Sequence, residues 1–480
     1  MPIVLNEKVA VFPRRWVSHG ILLAATSLLL SCATIHTTPR YSPATGAYRM
    51  VARSEINKPL EPGRERFDYP LQPSNSNEPL VLMAIAGGGS RSAYYAARVM
   101  EELSAIPNPA GSGSMLDSVH VISTISAGSL AAAWYIYHYD ERQSPDFFQR
   151  FKSAMAVNLQ WRTYGHMALF PPLALQLAAS SITRTDLLAN EMERLLGGKP
   201  VTFDDLRALE TRPDDRPPAL IVNGTAMNSG QRVVMTNLPP SRFPSQIAKA
   251  APSITVSPTD REILRRLVQP ITFEDIGSDI GSFRVAQAIA ASSAYPIALA
   301  PLRLNIYPDH VNPALAGRID SNLMTSKFLY VADGGMYENE GIDPLLSVLR
   351  TIDRNQPVLL LIVDASQRME TIKVSGHKIW DPFTVVGRLY DIGTLRPLAF
   401  YGTAAREFHD PAKLDGVVIR MEGYDEHSTK ILRNIPTMFK LSRQHRAALD
   451  LAAQRNVADM QDSLVEAYTR LGKVPSKKRR

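Results

Sequence analysis

Cysteine is nearly absent: Cys32 is the only one in 480 residues, so no internal disulfide can staple the chain. Neither Gly-Lys-Ser nor Gly-Lys-Thr occurs, which excludes the usual phosphate-cradling P-loop. The stretch Gly87-Gly88-Gly89-Ser90-Arg91-Ser92 ends in serine where a dinucleotide fingerprint carries a third glycine, and no acidic residue ends a second strand about twenty residues on. No apolar run reaches the roughly twenty residues of a membrane-spanning helix, and there is no repeat, coiled coil or low-complexity block. Excess positive charge is also missing from the body of the chain. Of the formal +7, the first 31 residues hold Lys8, Arg14 and Arg15 against Glu7, and Lys473, Lys477, Lys478, Arg479 and Arg480 carry the rest. That balance gives no argument for a nucleic-acid partner.

What the chain does have is core. Hydrophobic residues make up 45% of it, enough for one large domain rather than several small ones. Strand-like runs at 80–86, 118–123, 218–223, 231–236, 328–332, 357–363 and 416–421 alternate with helical stretches. This pattern predicts an α/β fold, a three-layer α/β/α sandwich on a mainly parallel sheet.

Three junctions in that pattern carry chemistry. The run Leu82 to Ala86 ends in Gly87-Gly88-Gly89 before a helical stretch from Ser90, a place where free N–H groups and the positive end of a helix favour an anion or an oxyanion. Val119 to Ile122 leads to Ser126, with Ala127-Gly128 opening a second helix, the context of a nucleophile elbow. Phe328 to Ala332 ends at Asp333-Gly334-Gly335, and a carboxylate emerging at the same sheet edge is a candidate base. Acyl transfer asks for these three parts: an exposed nucleophilic oxygen, a proton acceptor and oxyanion donors.

In these motifs the chain resembles the patatin-like phospholipases. The glycine-rich loop from Gly87 to Arg91, Ser126 within Ser126-Ala127-Gly128, and Asp333-Gly334-Gly335 occur in the family's order. Similarity continues through 220–230, Ala290 to Pro296 and Glu338-Asn339-Glu340-Gly341, covering roughly 79 to 365, with weaker similarity near 415 to 455. The resemblance implies a Ser126–Asp333 dyad without a catalytic histidine, in an oxyanion hole of Gly87, Gly88, Gly89 and Ala127. It also implies a membrane-lipid ester as substrate, with no cofactor and no metal. Ser92 and Thr124 stand where the family often has glycine. Those departures keep open a non-catalytic lipid- or envelope-binding protein on the same fold. A Ser-His-Asp esterase would need one of His377, His409, His427 or His445, whereas His120 reads as a core residue. Arg91 is a candidate anion ligand or a structural tether, Asp364 reads as structural, Ser292 to Pro296 as a cleft wall or a tight turn, and Met167 to Ala179 as a lid or a core helix.

The first residues resemble a bacterial lipoprotein signal: basic residues, a short apolar core from Ile21 to Leu30, then Ser31-Cys32. With Cys32 lipidated and Ala33 following it, the expected location is the cell envelope, anchored in the outer membrane and facing the periplasm. The expected organisation is a signal peptide over 1–31, a lipidated cysteine and flexible tether over 32–78, and a catalytic domain over 79–365. A C-terminal extension packed on that domain then spans 366–470, and a basic tail 471–480. Residues 240–280 read as an insertion, and the sequence is silent on oligomeric state.

Overall fold

The computed structural model describes residues 37–42 and 47–52 by their backbone, and 56–66, 69, 71, 73, 78–111, 113–165, 183–244, 257, 268–296, 298–366 and 409–472. The expected signal peptide, Cys32, Met167 to Ala179, His377 and the last eight residues lie outside them.

Nine strands form the main sheet: β1 (Leu80–Ile85), β2 (Val119–Ile125), β3 (Ala219–Ala226), β4 (Arg232–Thr236), β5 (Ile271–Thr272), β6 (Leu302–Asn305), β7 (Phe328–Asp333), β8 (Val358–Asp364) and β9 (Leu414–Arg420). Their order is β6-β7-β3-β2-β1-β8-β9, with β4 also on β3 and β5 on β4. The run β9-β8-β1-β2-β3 is parallel, and β7, β6 and β4 join antiparallel to their neighbours. The seven strand-like runs of the sequence are all strands. Two short ones, β5 and β6, carry too few residues to show a period.

The period-two pattern of β1 explains why the sheet is covered on both faces. Leu80, Leu82 and Ala84 enter one apolar cluster, with Leu345, Leu346, Val348 and Leu349 of the helix Ile342–Leu349. Val81, Met83 and Ile85 enter the other, larger cluster. That second face is covered by α1 (Ser90–Ser104), α2 (Gly128–Tyr137), α3 (Phe147–Met155), α4 (Arg184–Leu195), α5 (Phe203–Glu210) and α6 (Val285–Ser292). With α7 (Ile342–Leu349) on the opposite face, the architecture is the expected α/β/α sandwich. The helix α8 (Glu426–Arg433) precedes α9 (Arg443–Gly472), which packs on α1 and β9. The C-terminal region is thus more than an appended layer, because β9 is a strand of the central sheet.

Part of the expected tether is a strap. Lys58–Pro59 pairs antiparallel with Ser278–Asp279, and the Leu60 N–H donates to the Gly277 carbonyl at 2.8 Å. The buried Asn57 amide donates to the Asn305 carbonyl at 2.8 Å and to Ser278 Oγ at 2.6 Å, while Arg64 pairs with Asp204 and Asp279. Polar composition disguised this, because the segment is held by hydrogen bonds and charge more than by apolar burial. Residues 37–42 and 47–52 pair as two antiparallel strands.

Behind the elbow, Trp134 of α2 stacks on Phe151 of α3 with centroids 4.7 Å apart, and Phe147 tilts against Trp134 at 5.3 Å. Phe151 is fully buried. Phe151→Ala is expected to cost about 3–5 kcal/mol of stability, read as a lower denaturation midpoint in guanidinium chloride.

Candidate active site

The strand β3 has two hydrogen-bonding sides and three partners. Along one side it pairs with β4; along the other, β2 reaches as far as Ile125 opposite Asn223, and β7 takes over with Asp333 opposite Gly224. The carboxyl ends of β2 and β7 therefore meet head to head. The sequence led to the expectation that Asp333 emerges at the same sheet edge as Ser126. The antiparallel β7 brings Asp333 in from the opposite direction to β2, and this is what sets it beside Ser126.

Ser126 follows β2 on a sharp turn with φ +52°, a left-handed conformation uncommon for a non-glycine residue. The strain is the expected mark of a nucleophile elbow. Its N–H donates to Ser292 Oγ at 2.8 Å, and its hydroxyl lies close enough to the Asp333 carboxyl to lower that group's pKa. Gly128 lets α2 pass close behind, since a Cβ there would lie 2.9 Å from the Ala86 carbonyl oxygen. Thr124, the departure at the other side of the elbow, is buried. Its hydroxyl lies 2.8 Å from the Ile221 carbonyl oxygen and 2.9 Å from Ser129 Oγ, so its branched side chain is absorbed by the neighbouring strand and helix.

Asp333 is 3% exposed; its carboxylate accepts the Gly335 N–H at 2.8 Å, and the Ser126 hydroxyl lies beside it. Burial pushes its pKa up to about 7, and these two neighbours pull only partly against it. A carboxylate poised near neutrality is a competent general base.

The glycine loop lies directly against Ser126: a Cβ on Gly87 would sit 3.4 Å from that of Ser126. The Gly87 N–H is engaged, donating to the Asn339 carbonyl at 2.9 Å, whereas the N–H groups of Gly88, Gly89 and Ala127 carry no hydrogen bond among the described residues. Gly87 thus spaces and anchors the loop, leaving the others as donors. Gly89, at φ +63°, needs glycine twice over, because a Cβ would also meet the Met438 carbonyl oxygen at 2.6 Å. Ser92, the other departure, turns its hydroxyl back onto the Ala86 carbonyl and so supports the start of the loop. The anchor Asn339 is itself held in place, since the neighbouring Glu338 carboxylate accepts the Ile342 N–H at 3.0 Å at the start of α7.

Arg91 is a tether and not an exposed anion ligand. It is buried, with Nε donating to the Ala365 carbonyl at 2.9 Å, Nη1 to the Ile435 carbonyl at 2.8 Å and Nη2 toward Thr437 Oγ1 at 3.3 Å. The loop is thereby tied to the end of β8 and to the segment after α8, where the Ser90 N–H also donates to the Met438 carbonyl at 2.9 Å. Sequence reading missed the contact of the 435–438 segment with the glycine loop, because nothing in Ile435-Pro436-Thr437-Met438 marks a long-range partner. Asp364 is structural as expected, paired with Arg420 Nε at 2.8 Å and accepting the Ser366 N–H at 2.8 Å. His409 hydrogen-bonds the Gln356 carbonyl before β8, at the sheet edge opposite Ser126, and His120, expected in the core, is half-buried near the start of β2, its Nδ1 accepting the Val81 N–H at 3.2 Å and its pKa lowered by burial to about 4. No described histidine joins the site. Among the described residues no cluster of ligating side chains suits a metal ion.

Residues 83–346, more than half of the chain, match the family model of patatin-like phospholipases. The chain belongs to the patatin-like phospholipase family. No curated protein matches it. Among solved structures, human GIVD cytosolic phospholipase A2 aligns over 84% of this chain at 13% identity and a TM-score of 0.47. The chain spans 62% of that protein's length. The same human enzyme in complex with methyl gamma-linolenyl fluorophosphonate aligns over 91% of this chain at 14% identity and a TM-score of 0.42, across 69% of its length. The family's Ser-x-Gly and Asp-Gly-Gly motifs occupy here the two facing strand ends.

An unfolded aspartate titrates near 3.9, so the folded state releases the Asp333 proton at higher pH than the unfolded chain does. The stability this group contributes is fully present below about pH 4 and is lost as pH rises through about 7. Asp333→Asn is therefore expected to raise the thermal midpoint by a few degrees at pH 8 and to change it little at pH 4. Calorimetry at both values checks it; an equal shift at both would contradict the buried, proton-holding carboxyl.

Proposed function

We propose that the protein is a serine acyl hydrolase of membrane-lipid esters, a phospholipase or related esterase, in which Ser126 is the nucleophile and Asp333 the base. The observation that carries this reading is the meeting of two strand ends, which sets a strained Ser126 beside a buried Asp333 whose pKa is raised by burial to about 7. Asp333 takes the hydroxyl proton as Ser126 Oγ attacks the ester carbonyl. The free N–H groups of Gly88, Gly89 and Ala127 are available to the oxyanion of the tetrahedral intermediate, a contribution of roughly 3 kcal/mol for each donor removed. Collapse expels the alcohol, which takes its proton from Asp333 and leaves an acyl-Ser126. Water then attacks the acyl carbonyl, giving its proton to Asp333, and the fatty acid departs as Ser126 regains its hydrogen.

Lipidation of Cys32 would hold the domain beside its substrate, in the bacterial envelope and on the periplasmic face of the outer membrane. Support for this part is the signal-like sequence alone. Cys32→Ala is expected to release the protein from the membrane fraction, measured by blotting fractionated cells.

Ser126→Ala and Asp333→Asn are each expected to lower kcat for hydrolysis of a phospholipid or a p-nitrophenyl ester by about a thousandfold or more, as removal of a nucleophile or its base does elsewhere. Because Asp333 acts ionised, kcat/KM of the wild type should rise with pH through an apparent pKa near 7 rather than near 4. Full activity in either variant would sink the dyad.

A further inference from the structure

From this geometry we infer that Ser292 is a positioning residue for the reaction proposed above, and that the segment Ser292 to Ala294 braces nucleophile and base together; the inference rests on that reading. Ser292 is the last residue of α6 and is fully buried. Its hydroxyl accepts the Ser126 N–H at 2.8 Å and donates to the Asn223 carbonyl at 2.5 Å. Its one proton and one accepting site in use are both accounted for, so it is no second nucleophile. Two residues on, the Ala294 carbonyl accepts the Asp333 N–H at 3.1 Å.

The need for such a brace follows from the topology. β2 and β7 meet end to end along β3, so no ladder hydrogen bond joins the backbone of Ser126 to that of Asp333. Three consecutive residues at the end of one helix supply the missing link, one by a side chain and one by a carbonyl. Asn223 completes it, since its amide donates to Ser123 Oγ at 3.1 Å and to the Thr124 carbonyl at 3.0 Å, gripping the strand that leads into the elbow. Without the Ser292 acceptor the Ser126 N–H is buried and unpaired in an already strained turn, and the turn relaxes away from Asp333. Misplacement of a reacting atom by about 1 Å costs on the order of a hundredfold in rate.

The test uses the full chain, a p-nitrophenyl ester and a fluorophosphonate probe. Ser292→Ala is expected to lower kcat by roughly tenfold to a hundredfold with KM nearly unchanged, and to slow fluorophosphonate labelling of Ser126 by the same factor. Ser118→Ala is the control: the Ser118 hydroxyl is also buried and donates to a carbonyl, that of Met115 at 2.7 Å, but it lies at the amino end of β2, away from the site, and its loss should leave kcat at the wild-type level. Ser292→Thr and Ser292→Val have the same shape and differ by the hydroxyl, so Thr should retain activity that Val loses, even if Ala proves unstable. Equal kcat for Thr and Val, or a Ser292→Ala enzyme within twofold of wild type, overturns the role of Ser292. Ser126→Ala run alongside separates the two levels. If it is inactive while Ser292→Ala is at full rate, only the brace falls; if Ser126→Ala is itself fully active, the dyad falls with it.

Discussion

Everything in the site depends on the way β3 shares one of its sides between two strands. A strand has two hydrogen-bonding edges, and here β4 fills one while β2 and β7 divide the other between Asn223 and Gly224. This places a parallel strand and an antiparallel strand nose to nose, with Ser126 just past the end of one and Asp333 at the end of the other. The closeness of Ser126 to Asp333 is a consequence of that register. A shift of one residue in either pairing would turn the side chains to the opposite face and separate them.

The same register accounts for the electrostatics. Asp333 ends a strand inside the sheet and not on an exposed loop, so its carboxylate is removed from water and gains only the Gly335 N–H and the nearby Ser126 hydroxyl in exchange. Desolvation then outweighs hydrogen bonding, and the carboxyl is carried into the range where it can take a serine's proton. Around it the loop from Gly87 to Gly89 is held from several directions: Asn339 below, Met438 above, and Arg91 reaching to Ala365 and Ile435. The C-terminal residues therefore belong to the machinery that shapes the loop, although the family match ends at residue 346.

The two departures from the family pattern illustrate how far a motif can be read without its surroundings. Thr124 and Ser92 look like faults when the neighbouring positions are expected to be glycine. In the fold each has a hydroxyl partner nearby, Ile221 and Ser129 for one and Ala86 for the other. Small size is needed where backbone approaches backbone, as at Gly128, and a short polar residue serves where a carbonyl is within reach.

Sequence alone determined the sandwich and its seven longer strands, because a sheet buried on both faces demands apolar runs whose length and punctuation are local properties. It also singled out Ser126, Asp333 and the glycine loop, which the fold brings side by side, since strand ends followed by glycine or by a helix start are local signals too. The folding of residues 57–66 back onto the domain, the spent N–H of Gly87, the burial of Arg91 and the link from Ser292 to Ser126 were decided only by tertiary structure. Each is a polar contact between residues far apart in the chain, made by side chains or carbonyls of common type. Hydrophobic periodicity leaves no trace of such contacts, because a hydrogen bond is specified by where two atoms end up and not by the pattern of residues around either one.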